Sequence, residues 1–123
     1  MAIRKQAPPL SRARADQLLS RALARVREIN DDPGRYSYRF RRLAVLGSYL
    51  RDADTLNDLD LGIDMVYLRD PRLESAMVFD HGISHARKCL VYLRQRCLLL
   101  HLHDIRALED FGYPYRLVFT LEE

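Results

Sequence analysis

Two carboxylates, Asp58 and Asp60, stand two residues apart and shortly after a Gly-Ser pair at Gly47-Ser48. Each part of that arrangement has a physical use. Glycine lets the backbone approach a phosphate closely, while the serine hydroxyl and the N–H groups of a following helical turn donate to phosphate oxygens. Carboxylates two apart on a strand share a face, so both can coordinate Mg²⁺, a hard cation that prefers oxygen ligands. Such an ion binds triphosphate oxygens, polarises the α-phosphorus and stabilises the leaving pyrophosphate. The chemistry in view is attack on a nucleoside triphosphate.

Other reactive side chains form weaker patterns. His81 and His85 are four apart and would share a helix face, and His101 and His103 would share a strand face. Those spacings can ligate zinc, yet no cysteine pair or glutamate joins them in a recognised pattern. His101 and His103 face away from Asp104 on a regular strand and read as packing or interface residues. Cys89 and Cys97 cannot make a disulfide framework or a four-thiolate zinc site, and read as core thiols. Tyr36, Tyr38, Tyr113 and Tyr115 are candidates for stacking on a base or for a surface role.

The elements that must position these residues follow from periodicity. Residues 1–10, with Pro8-Pro9, read as a loose leader. Ser11 can cap a helix over 12–29 whose apolar face is Leu18, Leu19, Ala22, Leu23, Val26 and Ile29. Arg14, Arg21 and Arg25 lie opposite and read as a solvated basic face. Asn30-Asp31-Asp32-Pro33-Gly34 ends that helix. Tyr36 to Leu46 reads as a strand, Gly47-Ser48 as its end, and 49–53 as a short helical turn. Over 58–66 the chain alternates, with Leu59, Leu61, Ile63 and Met65 on one side and Asp58, Asp60, Gly62 and Asp64 on the other. That pattern is a half-buried strand with three carboxylates on its open face. A helix over 72–95, whose middle Gly82 weakens so that a break near Asp80 to Ser84 is the alternative, precedes a strand over 97–103. A short helix from Asp104 to Phe111, a turn at Gly112-Tyr113-Pro114 and a strand over 116–121 complete the order. The expected architecture is one mixed α/β (α+β) domain, a small mixed sheet with helices packed on it.

The chain has 123 residues and a formal net charge of +3, enough for one core and not two. Residues 1–51 carry 12 Lys+Arg against 4 Asp+Glu, whereas residues 52–123 carry 8 against 13. Of the 20 basic residues 18 are Arg, the side chain suited to forked recognition of phosphate or carboxylate. No apolar run approaches the ~20 residues of a membrane span, and Met1-Ala2-Ile3-Arg4-Lys5-Gln6 lacks the apolar core of a signal peptide. The expectation is a reduced, cytoplasmic protein with no membrane role.

The run from Leu43 to Leu61 resembles the signature of the nucleotidyltransferase superfamily, in particular its minimal nucleotidyltransferase members. That signature is a hydrophobic strand, Gly-Ser, about ten residues that often include Ala-Arg-Gly, then Ser-Asp-x-Asp. Gly47, Ser48, Arg51, Asp58 and Asp60 fall on it; Asp52 replaces the usual glycine, Asn57 the common serine, and the interval looks about one residue short. The resemblance covers residues 40–66 directly and 40–104 by element order. It implies a nucleotidyltransferase-like domain over 36–123, preceded by the leader and basic helix of 1–35. It also implies transfer of a nucleoside monophosphate, AMP from ATP, to an acceptor hydroxyl. In that reading Gly47, Ser48 and Arg51 hold the triphosphate, and Asp58 and Asp60 hold Mg²⁺.

Catalytically competent members carry a third carboxylate from a neighbouring strand. Asp104 is the candidate as third ligand or base, and it is equally well placed to cap the following helix. Asp64 continues the Asp58/Asp60 face but lies ~13 Å from Asp60 along the strand, too far to share an ion. Small domains of this kind often act with a second protein, as in toxin–antitoxin pairs, so a protein partner or a homodimer is expected. Two other readings stand beside the enzyme. One is a catalytically degenerate binding or regulatory module of the same fold, favoured by Asp52. The other is a nucleic-acid binder using the Arg-rich first half, whose affinity would fall steeply with salt.

Overall fold

The computed structural model describes residues 10–51, 53–67 and 82–121. The chain runs through β1 (Leu10–Ser11), α1 (Arg12–Asn30), β2 (Tyr38–Leu46), a 3-10 turn (Gly47–Leu50), β3 (Thr55–Leu56) and β4 (Leu59–Tyr67). It continues through α2 (Gly82–Arg94), β5 (Leu100–Asp104), α3 (Ile105–Phe111) and β6 (Tyr115–Thr120). Four strands form one sheet in the order β5-β4-β2-β6; β4 and β5 are parallel, and β2 is antiparallel to both β4 and β6. The expected α+β architecture is therefore present. No helix among the described residues is long and apolar enough to cross a membrane.

Helix α1 forms because Ser11 accepts the Arg14 N–H at its start and apolar residues recur at every third or fourth position. Ala15, Leu18, Leu19, Ala22, Val26 and Ile29 are buried, each large one contributing about 1.5–3 kcal/mol. They pack against Phe40, Leu43, Val45, Leu59, Leu61 and Ile63 of the sheet, with Cys89 and Leu93 of α2. Asn30, read from sequence as part of a breaker, has a second task. Its side-chain amide donates to the Phe40 carbonyl at 3.0 Å and accepts the Phe40 N–H at 2.8 Å, tying the end of α1 to β2.

The other sheet face is covered by α3. Gly62 alternates with the core-facing Leu61 and Ile63, and a Cβ there would stand 2.9 Å from Ile105 and 3.2 Å from Leu108. Glycine at this position lets a short helix lie directly on the strand. Asp104 caps α3 by accepting the Arg106 N–H, and Gly112 ends it in the left-handed region at φ 70°.

Several expectations need correction. The leader is tied down at its end: Leu10 and Ser11 pair with Leu56 and Thr55 in a two-residue sheet that no local pattern announced. The helical turn after the glycine begins at Gly47 itself and is a single 3-10 turn, so no extended helix terminus faces the site. Arg25 does not stand on a solvated face. It donates to the Leu93 carbonyl at 3.2 Å and to the Gln95 side chain, linking α1 to the end of α2. The open face of β4 does not carry three equivalent carboxylates, because Asp64 is buried at 5% exposure against Arg42. The first half of the expected 72–95 helix, residues 72–81, lies outside the described residues; α2 accounts for the second half.

Candidate functional site

The sheet register brings the site together. Asp60 pairs with Leu46 on one side and with His101 on the other, so the end of β2, the middle of the Asp-x-Asp and the start of β5 lie side by side. Directly after Leu46 comes Gly47 at φ 66°, a backbone conformation that favours glycine. A Cβ at Gly47 would stand 2.8 Å from Oδ2 of Asp60. The Gly-Ser turn thus rests against the second carboxylate of the pair, and a side chain at Gly47 would push that carboxylate aside.

Paired residues in parallel strands point to the same face, so His101 and His103 share the face of Asp60 and Gly62. Nε2 of His103 is 2.9 Å from Oδ1 of Asp60, and Nδ1 of His101 is 3.6 Å from Oδ2 of Asp58. Asp58, Asp60 and His101 each offer a ligand atom, all within 4.8 Å of one another, a set that could hold a metal ion. Burial raises the pKa of the Asp58 carboxyl and the neighbouring Asp60 raises it further, while His101 and His103 pull it down. Two half-buried carboxylates side by side favour a bound cation for the same electrostatic reason.

Asp104 is not part of this group. It pairs with Ile63, one residue out of phase with the histidines, and its carboxylate caps α3. Of the two roles open to it, the structure shows the cap. Arg51 closes the Gly-Ser turn, its N–H donating to the Ser48 carbonyl at 3.1 Å. It lines a cleft of about 410 Å³ with Arg12, Asp16, Tyr49 and Arg116, whereas His101 lines a groove of about 590 Å³ with Arg87, Val91 and Arg94. Gly47, Ser48, Asp58 and Asp60 are therefore gathered at one end of the sheet, and Asp104 faces away from them. Asp52 and His81 lie outside the described residues, as does the side chain of His85.

Tyr36 is buried and packs on Tyr92, Tyr38 packs on Tyr67 and is half-buried like Tyr115, and Tyr113 is exposed. Tyr115 pairs with Leu46, in the same cross-strand row as Asp60 and His101. Cys89 is a core thiol, pushed up to about 11 by burial.

Two contributors escaped the sequence reading. The histidines were set aside because neither carried a ligand partner in sequence; the signal that finds them is the pairing of two period-two motifs, Asp-x-Asp and His-x-His, on neighbouring parallel strands. Arg12 left no local signal at all. Its guanidinium donates to the carbonyls of Ala53 at 2.7 Å, Tyr49 at 3.1 Å and Arg51 at 2.5 Å, clamping the loop between the Gly-Ser turn and the carboxylates. The Tyr49 hydroxyl adds a bond to Asp16 of α1 at 2.6 Å.

No family model matches the sequence, and no curated protein or solved structure matches it.

Proposed function

We propose that the protein is a divalent-metal-dependent nucleotidyltransferase that moves a nucleoside monophosphate, AMP from ATP, to an acceptor hydroxyl. The observation that carries this reading is the contact of the Gly47 turn with Asp60, which sets a phosphate-approachable backbone and two carboxylates side by side. Asp58 and Asp60 would hold the ion, with Mg²⁺ the one the resemblance implies. Bound there, it would supply charge neutralisation for the triphosphate and the departing pyrophosphate. Gly47 and Ser48 lie where a triphosphate would pass. The acceptor oxygen bonds to the α-phosphorus as the bond to the bridging oxygen breaks, and pyrophosphate leaves with that electron pair. The hydroxyl proton leaves to solvent water. The acceptor belongs to a partner protein or to a second copy of the chain.

One observation favours a second reading. Asp104 caps α3 and leaves two carboxylates at the site, which suits a module that binds nucleotide without turning it over. Calorimetric titration of ATP and of a non-hydrolysable analogue, with and without Mg²⁺, tests the shared part of both readings beside the variant Asp58→Ala/Asp60→Ala. Metal-dependent binding that vanishes in the variant is expected, and no binding under any condition overturns both. Label from α-phosphate-labelled ATP appearing on a protein then separates the enzyme from the binding module.

A further inference from the structure

The Asp58–Asp60–His101 group differs from an all-oxygen site in a way that bears on which ion it takes. Two donors are carboxylates from the start of β4 and the third is an imidazole nitrogen from β5, placed by the Asp60–His101 register. Ligands of one ion at about 2.1 Å stand about 3 to 4.2 Å apart, so donors within 4.8 Å need only a small closure. Imidazole adds affinity for first-row transition dications, least for Mn²⁺ at the bottom of their order, whereas carboxylate and water suffice for Mg²⁺ and Ca²⁺. A mixed set therefore discriminates against Mg²⁺, which gains little from nitrogen and dehydrates reluctantly. Among the described residues no cysteine joins the ligand group: Cys89 is buried in the core, and the half-buried Cys97 packs against it.

The surroundings fit the same assignment. His103 holds Oδ1 of Asp60 at 2.9 Å, acting as the outer partner that fixes a ligating carboxylate. The His101 side chain is half exposed and opens on the groove lined by Arg87, Val91 and Arg94, so further coordination positions remain for water or substrate oxygens. We propose that this centre selects a first-row transition dication over Mg²⁺, with His101 as its third ligand and His103 as the positioning residue of Asp60. The inference deepens the metal-dependent reading above and rests on it only for the place of the ion.

Titration of Mn²⁺ into the full chain, without nucleotide and followed by loss of the free-ion electron paramagnetic resonance signal, tests it; Mg²⁺ is added as competitor. One Mn²⁺ per chain is expected, displaced only by at least ten times as much Mg²⁺. His101→Ala should weaken Mn²⁺ at least tenfold, and His101→Asp should bring the two ions within about threefold of each other. His103→Gln should keep the stoichiometry and weaken binding by about tenfold. Circular dichroism melts check that each variant is folded. Equal affinity for the two ions, or Mn²⁺ binding untouched by His101→Ala, overturns the proposal. Because no nucleotide is present, selective Mn²⁺ binding with no ATP binding would sink the transferase reading alone. Mg²⁺-dependent ATP binding without Mn²⁺ preference would sink this inference alone.

Discussion

Asp60 and Asp64 occupy the same face of the same strand, four residues apart, and the fold treats them in opposite ways. Asp64 is 5% exposed and sits between two guanidinium groups, Arg42 at 2.8 Å and Arg106 at 3.4 Å, with Glu109 closing the network on Arg42 at 2.9 Å. The hydrogen bond from Arg42 to Asp64 in turn raises Arg42, against the pull of its own partial burial. Among the described residues, Asp58 and Asp60 face each other, two histidines and a glycine turn, with no guanidinium paired to either. A carboxylate neutralised by the chain's own arginines is a structural element. A pair left to histidines is where an added cation has something to gain.

The largest effect expected from breaking that contrast is on binding. Asp58→Ala/Asp60→Ala should lower divalent-metal affinity by more than about a hundredfold, leaving the melting temperature unchanged or slightly raised as like charges are removed. Asp64→Asn should do the reverse. Removing one partner of a buried ion pair costs about 3–5 kcal/mol, and Arg42 at 26% exposure can partly rehydrate, so a loss of about 2–3 kcal/mol in urea unfolding is expected. Metal affinity should stay within about twofold of wild type. A variant at Asp64 that loses metal while keeping its stability would show that the two ends of the strand are one site.

Glycine substitutions sharpen the same comparison at smaller scale. Gly47 and Gly112 both have φ near 70°, so alanine at either pays for a left-handed backbone by about 1 kcal/mol. At Gly112 nothing lies within 4 Å of the added carbon, and the effect should end there. At Gly47 the carbon meets Asp60 at 2.8 Å, so the carboxylate must move. Gly47→Ala should therefore weaken metal binding about tenfold as well, whereas Gly112→Ala should leave it unchanged. Equal metal binding in the two variants would mean that the turn does not position Asp60.

Which of these features could be read in advance depends on how far along the chain their cause lies. Helix α1, its Ser11 cap, the β2 and β4 strands and the Gly112 stop were legible, because each rests on spacing within a dozen residues. So was the approach of Gly-Ser and Asp-x-Asp, since one ends a hydrophobic strand and the other opens an alternating one. The roles of Asp104 and the histidines were not. They depend on the register of β5 against β4, and a shift of one residue would have sent Asp104 to the Asp60 face and both histidines to the core. Asp64 looked like its neighbours because nothing local tells a strand residue that an arginine 22 positions earlier will lie across from it. Arg12 reaches carbonyls 37 to 41 residues away, a contact no window along the chain contains.

The smallest effect concerns how Asp64 divides its attachment. Arg42 lies on β2 directly across from it, in register, and donates through Nε at 2.8 Å from a side chain only 26% exposed. Arg106 reaches it at 3.4 Å from a side chain 64% exposed. A long contact whose cation stays in solvent is worth about 0–1 kcal/mol. Arg106 also sits in the first turn of α3, where a positive charge opposes the helix dipole and gives back part of that gain. Arg106→Ala should therefore lower stability by no more than about 0.5 kcal/mol in urea unfolding, with the loss shrinking at high salt. Arg42→Ala should cost about 2 kcal/mol or more, because it leaves Asp64 buried with only the weaker partner. If the two variants lose equally, Asp64 is held by α3 as much as by β2, and the sheet alone no longer explains why this carboxylate is closed to an external cation while Asp60 is not.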